Sequence, residues 1–168
     1  MKVGTVGFAL FISVFYLTGF GLLGFGLWSA RRSTQAASWP TAPATITSLE
    51  VRAGSVRDGS TYEVKVQYTY TVDGVVHVGS RLAFGYTSSS GRETHDEIFR
   101  RLKEARVISA RYDPADPSVS CLSFGIHRSI QITLAFAVTW LLFVIGFTLM
   151  FWLFSRSDAV LLDNLSTQ

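Results

Sequence analysis

The sequence predicts an integral membrane α-helical hairpin, two transmembrane helices enclosing a small, mostly β soluble domain of about five strands and one helix. Three observations carry this. Residues 3–28 and 130–154 form long apolar runs without Asp, Glu, Lys or Arg, residues 61–72 alternate strictly, and turn-forming residues punctuate the segment between. The predicted order is helix 3–28, connector 29–43, β domain 44–124 with a helix near 92–106, helix 130–154 and a polar tail 155–168.

Each apolar run exceeds the roughly 20 residues needed to cross a hydrocarbon core. A cleaved signal peptide would have a shorter apolar stretch and a small-residue cleavage site, whereas the first run ends in Trp28 and Arg31-Arg32. The second, with Trp140, Leu141, Leu142, Phe143, Val144 and Ile145, is apolar around its circumference, unlike an ordinary core helix in water. Trp28, Trp39 and Trp152 mark the expected interfaces. Gly4, Gly7, Gly19, Gly21, Gly24 and Gly26 allow a neighbouring helix to approach, and packing against the second helix is favoured over an oligomer face.

Two spans place both termini on one side. The domain-side flanks carry Arg31, Arg32, His127 and Arg128, while the terminal side carries Lys2, the amino terminus and Arg156 countered by Asp158. The positive-inside rule then points to a cytoplasmic domain. A single cysteine, Cys121, excludes an intrachain disulfide and agrees with a reducing compartment. The net charge of +3 rests on scattered residues, so nucleic acid is not an expected partner.

Within the domain, Ile46, Leu49 and Val51 suggest a first strand with a bulge at Ser48, followed by a loop over 54–59. Tyr62, Val64, Val66, Tyr68, Tyr70 and Val72 then occupy one face, with Thr, Glu, Lys and Gln on the other, as in a half-buried strand. Asp73-Gly74 suits a type I′ turn, and 75–84 returns as the partner strand with Val72 opposite Val75 and Tyr70 opposite His77. Ser90 with Glu93 offers a capping box to the helix, whose inward positions would be Ile98, Leu102 and Ala105. Residues 107–112 resume alternation, 113–117 form a Pro-rich turn, and 119–124 make a short last strand.

These motifs, the opening Ala44-Thr45-Ile46, the Tyr-rich strand 62–70, the turn Val72-Asp73-Gly74 and the run Arg111-Tyr112-Asp113-Pro114-Ala115-Asp116-Pro117, resemble domain-of-unknown-function family 3592 over roughly 39–124 with the flanking helices. The resemblance implies a small β domain between two membrane helices in bacterial proteins, with no activity assigned.

Candidate chemistry is sparse. Cys121, Ser88, Ser89 and Ser90 have no His or acid at a recognisable catalytic spacing, and His77, His95 and His127 stand apart. Asp113 and Asp116 read as turn formers rather than a cation site, and Arg100, Arg101, Lys103 and Arg106 as a solvated helix face rather than a headgroup contact. No P-loop occurs. No catalytic, metal or cofactor residue is therefore expected, and no cofactor.

The expectation is a non-catalytic interaction or assembly module in a bacterial inner membrane, its partners the lipid bilayer and either another protein or further copies of itself. Two alternatives follow. One is an oligomeric channel or transport accessory subunit, disfavoured because the polar groups of the spans, Ser13, Thr18, Thr139 and Thr148 among them, carry no charge. The other is an immunity-type protein shielding the membrane from a toxin.

Overall fold

The computed structural model describes residues 3–56, 59–105, 107–155 and 164. Its elements are α1 (Val3–Gln35), a single 3-10 turn (Ala36–Ser38), β1 (Thr41–Val56), β2 (Gly59–Val72), β3 (Val75–Gly79), α2 (Arg92–Glu104), β4 (Ile108–Asp113), β5 (Asp116–Cys121) and α3 (Arg128–Phe154). Two long apolar helices thus flank a five-stranded antiparallel sheet. The described residues fall into two compact units, within Met1–Gly24 plus Thr133–Gln168 and within Phe25–Ile132.

In the first unit the two apolar helices meet through aromatic and small residues. Phe8 stacks on Phe151 with ring centroids 3.6 Å apart. Gly19 is where the helices come closest to excluding a side chain, since a Cβ there would lie 2.5 Å from Leu141 Cδ2. The Trp140 indole donates to the Phe15 carbonyl at 3.0 Å, and the Tyr16 and Thr148 hydroxyls meet at 3.2 Å. Most large side chains here, Leu10, Leu17, Leu142 and Phe143 among them, face outward. Both helices are long and apolar enough to cross a membrane.

In the second unit the sheet order is β3-β2-β1-β4-β5, antiparallel throughout. The alternation of β2 is realised as burial of Val64, Val66, Tyr68, Tyr70 and Val72, while Lys65, Gln67 and Thr71 are exposed. These buried residues pack with Ala42, Ala44, Leu82 and Ala110, and with the half-buried Ile98, Leu102, Ile108 and Tyr112. The hairpin turn has φ of 49° at Asp73 and 79° at Gly74. Both are left-handed, as a type I′ turn requires. Val72 pairs with Val75 and Tyr70 with His77, the register that this turn dictates.

Several boundaries differ from the sequence reading. Helix α1 runs past Trp28 to Gln35 because Ser29, Ser33 and Ala36 are buried in the second unit, a tertiary gain that the polar composition of the connector conceals. Trp39, assigned by sequence to an interface, is instead a core residue at 8% exposure beside Phe84 and Cys121. Strand β1 starts at Thr41, where it pairs with β4, and Pro43 is accommodated opposite Ser109. The loop expected over 54–59 is largely ladder, with Gly54 opposite Thr61 and Val56 opposite Gly59, while Arg57 and Asp58 lie outside the described residues. The bulge falls between Ile46 and Ser48, leaving Thr47 as the extra residue and re-aiming the strand.

β3 stops at Gly79 rather than at 84, for a packing reason. A Cβ on Gly79 would collide with the Tyr68 ring and lie 2.6 Å from Ser120 Oγ. The sheet is curled so that its two edge strands, β3 and β5, come close. Side chains bridge them: Tyr68 Oη meets Ser120 Oγ at 3.0 Å and donates to the Arg81 carbonyl at 3.1 Å, and Tyr70 Oη donates to the Pro117 carbonyl at 2.5 Å. Burial pushes the Tyr68 phenol up to about 12, so it keeps its proton as a donor.

Substituting Tyr68→Phe should leave the ring packed but remove the bridge to Ser120, lowering stability by about 1 kcal/mol, whereas Tyr68→Asp should cost at least about 3 kcal/mol. Thermal unfolding of the full chain in neutral detergent checks both. Equal midpoints for the wild type and Tyr68→Asp would refute the assigned core.

Candidate functional site

The turn between β4 and β5 builds a collar at the end of α1. Arg111 donates from Nη1 to the carbonyls of Ala37 and Trp39, at 2.9 and 3.0 Å, and its guanidinium lies 4.3 Å above the Phe124 ring. It thereby occupies carbonyls at the end of the 3-10 turn, which have no partner in the helix. Asp113 receives Arg32 Nη1 at 2.8 Å on one oxygen and the Ala115 amide at 3.0 Å on the other. The Arg-Tyr-Asp-Pro run is therefore structural glue, with Tyr112 stacked on Tyr70.

Gly85, with φ of 72°, lets α1, the loop after β3 and α3 close together, since a Cβ there would lie 2.9 Å from both Ile130 Cγ1 and Ser29 Cβ. Beside it Phe84 meets Trp28 and Trp39 edge-on, at 6.0 and 5.7 Å. Ser33 and Gly125 exchange two bonds, Ser33 Oγ to the Gly125 carbonyl at 2.8 Å and the Gly125 amide to the Ser33 carbonyl at 3.0 Å. Ser29 is as deeply buried, yet its Oγ has no partner among the described residues.

A second polar arrangement lies at the start of α2. Ser89 bridges to Tyr62 through reciprocal backbone bonds of 2.8 and 3.0 Å. His95, only 2% exposed, places Nδ1 2.7 Å from Tyr86 Oη and Nε2 2.9 Å from Ser89 Oγ. The Val64 amide donates to Tyr86 Oη at 3.0 Å, and which of Tyr86 and His95 donates in their contact follows the imidazole tautomer. Both imidazole nitrogens are thus engaged, one by Tyr86 and one by Ser89.

Sequence reasoning misses this contact, because it finds no His at a recognisable spacing from Ser88, Ser89 or Ser90. A six-residue separation across a turn has no motif to signal it. The expected capping box is also absent: the N-cap is Gly91, without a side-chain cap bond, because the chain at Ser89 is committed to Tyr62.

The other candidates are separate. His77 stacks on Tyr70, with ring centroids 5.5 Å apart. His127 Nε2 donates to the Phe84 carbonyl at 2.8 Å. Cys121 is fully buried, and burial pushes its thiol up to about 11, far from a reactive thiolate. Asp116 accepts the Ser118 hydroxyl and amide, which hold its carboxyl below the usual range. On α2, Arg100 and Arg101 both pair with Glu97 and Arg92 pairs with Asp96, leaving a solvated face; Arg106 lies outside the described residues. Among the described residues no three His, Cys, Asp or Glu side chains converge as a metal would need.

One surface stands out by its chemistry. Edge strand β3 exposes Val75, Val76 and Val78 at 57%, 66% and 66%. Val76 and Val78 share one face and Val75 lies on the other, on a sheet edge where backbone amides and carbonyls also lack a neighbouring strand.

The geometry defines a class: a curled five-stranded antiparallel sheet with one crossover helix, preceded and followed in the chain by long apolar helices. The family described as Domain of unknown function (DUF3592) matches residues 42–127, and the chain belongs to it. No curated protein and no solved structure gives a match.

Ser29→Ala should be neutral or should raise the unfolding midpoint, because the hydroxyl is buried without a partner and such groups cost about 1–3 kcal/mol. A clear loss of stability would show that the hydroxyl is satisfied. Burial lowers the His95 pKa below its ordinary value. The folded state therefore binds fewer protons than the unfolded chain below about pH 6.5, and stability should fall as pH drops from there through the folded pKa. Comparing unfolding midpoints across this range for the wild type and His95→Gln isolates the contribution; parallel curves would exclude His95 as its source.

Proposed function

We propose that this protein is a membrane-anchored, non-catalytic interaction or assembly module, with α1 and α3 crossing a bacterial inner membrane and the sheet domain on the cytoplasmic side. The observation that carries the reading is the valine-rich edge of β3. Val76 and Val78, on one face of that short strand, give an apolar contact at an open sheet edge. A second copy of the chain or another membrane-associated protein fits it, and a strand of either would bury these side chains.

Further support comes from how the polar groups are used. The hydroxyls of Ser13, Thr18 and Thr148 donate to carbonyls of their own helices, at 2.7 Å, 2.9 Å and 2.8 Å. Hydroxyls spent on their own backbone favour an anchor over a polar conduction path. The Tyr86-His95-Ser89 chain is arranged as a latch, with both imidazole nitrogens hydrogen-bonded. Arg31 and Arg128, exposed at the domain ends of the helices, are the flank charges that favour a cytoplasmic domain.

Val76→Lys with Val78→Lys should preserve the fold, because both positions are exposed. It should shift the native-membrane complex, solubilised in mild detergent, to a smaller size by native electrophoresis. An unchanged size would remove β3 as the contact surface. For sidedness, Ser88→Cys offers an exposed thiol away from the His95 latch, and the buried Cys121 should stay silent. An impermeant maleimide should label Ser88→Cys only after lysis; labelling in cells with a permeabilised outer envelope would place the domain outside.

A further inference from the structure

The first turn of α2 is tied to the sheet through a small set of polar contacts. Its N-cap, Gly91, makes no side-chain cap bond. Ser89 and Tyr62 of β2 exchange two backbone bonds, and the His95 ring is wedged between the Tyr86 and Ser89 hydroxyls at 2.7 and 2.9 Å. Tyr86 is in turn held to β2 by the Val64 amide at 3.0 Å. Further along the helix, Ile98 and Leu102 pack against the core of the sheet, away from these contacts.

A neutral imidazole suits this setting and a charged one does not. Neutral, the ring has one N–H to give and one lone pair to receive, which matches a hydroxyl on each side. Protonated, it donates from both nitrogens, and the hydroxyl that had donated to it must turn its proton elsewhere. The ring is 2% exposed and both of its partners are uncharged. The carboxylates that act on it are already committed: Glu63 on β2 takes Lys65 at 2.8 Å, and Asp96 on α2 takes Arg92 at 3.3 Å. Burial pushes the Tyr86 phenol up, so it stays protonated, and His127 and Arg128, which line the same cleft from the start of α3, bring no negative charge. A buried charge with no opposite charge in contact is strongly disfavoured.

We infer that the Tyr86-His95-Ser89 contact is an acid-released latch: protonation of His95 frees the loop before α2 and the first turn of α2 from β2, while the sheet and the later turns of α2 stay folded. The hydroxyl contacts and the bridge to Tyr62 share Ser89, so they are lost together. Release widens the cleft of about 300 Å³ that these residues line with Leu82 and Ile98, and so presents an apolar wall. Acidification of the compartment that faces the domain is thereby read as a change of surface beside α2. The device lies within the second unit and works on either side of a membrane.

Opening takes up a proton, because the released imidazole regains its ordinary affinity while burial lowers it in the closed state. The opening constant therefore rises by up to about tenfold per pH unit from about pH 6.5 down to the closed-state pKa, and is level below it.

The test is amide hydrogen exchange on the full chain in neutral detergent, from about pH 7.5 to about pH 5, expressed as protection factors so that the intrinsic pH dependence of exchange drops out. The Tyr62, Val64 and Ser89 amides should lose protection several-fold on acidification, while the Tyr70 amide, within the sheet, keeps its own. His95→Gln should give flat curves, and His77→Gln, which removes a histidine of β3, should reproduce the wild type. The loss should level off at the pH where the His95 ring carbon shift titrates, a comparison that needs no variant. Unchanged protection in the wild type, an equal loss at Tyr70, levelling at a different pH, or the same loss in His95→Gln would each overturn the inference.

Discussion

The sheet domain depends on the burial of one face of β2, and within that face on Tyr68. Its ring is wholly buried, and its hydroxyl is the link that draws β5 toward β3. Burying a large aromatic contributes about 2–3 kcal/mol, a substantial share for a domain of this size. A five-stranded open sheet would otherwise leave two edges to manage. Here, curling across Gly79 lets the Tyr68 and Tyr70 hydroxyls satisfy groups of the opposite edge, so the apolar face and the polar tips of the same residues serve one purpose.

The ends of the long helices are joined to that sheet by a different physics. Backbone carbonyls at a helix end cannot be left buried and unpaired, and Arg111 meets two of them while stacking on Phe124. Arg32 and Asp113 form a partly buried pair whose carboxylate is also held by a turn amide, which makes it more rigid than the surface pairs along α2. Close approach at Gly85 then requires a residue without a side chain at a left-handed backbone position. The result is a compact knot around Phe84, Trp39 and Cys121.

Much of the sheet was legible in the sequence because its information is local. Strict alternation over residues 61–72, the Asp73-Gly74 turn and the Pro-rich Asp113–Asp116 turn each encode their conformation within a few residues, and the register of Tyr70 with His77 follows from turn geometry alone. The lengths of the apolar runs are likewise a one-dimensional property, which is why the two long helices were readable as elements. The phase of Ile46, Leu49 and Val51 even signalled a bulge at Ser48, next to the register shift between Ile46 and Ser48, since a change of apolar phase within one strand marks an extra residue.

Groups whose partners are distant in the chain escaped that reading. The extension of α1 to Gln35 depends on Ser33 meeting Gly125, and the change of Trp39 from an interface ring to a core residue depends on Phe84. The meeting of Ser89, His95 and Tyr86 depends on the bridge between Ser89 and Tyr62. Neither periodicity nor turn chemistry carries such pairings, because they are set by which surfaces the folded chain can bury and which polar groups must then be satisfied. The strands, the turns and the two apolar helices are written in the order of residues. The collar and the latch came from packing, where the cost of an unpaired buried group selects among contacts that no local pattern distinguishes.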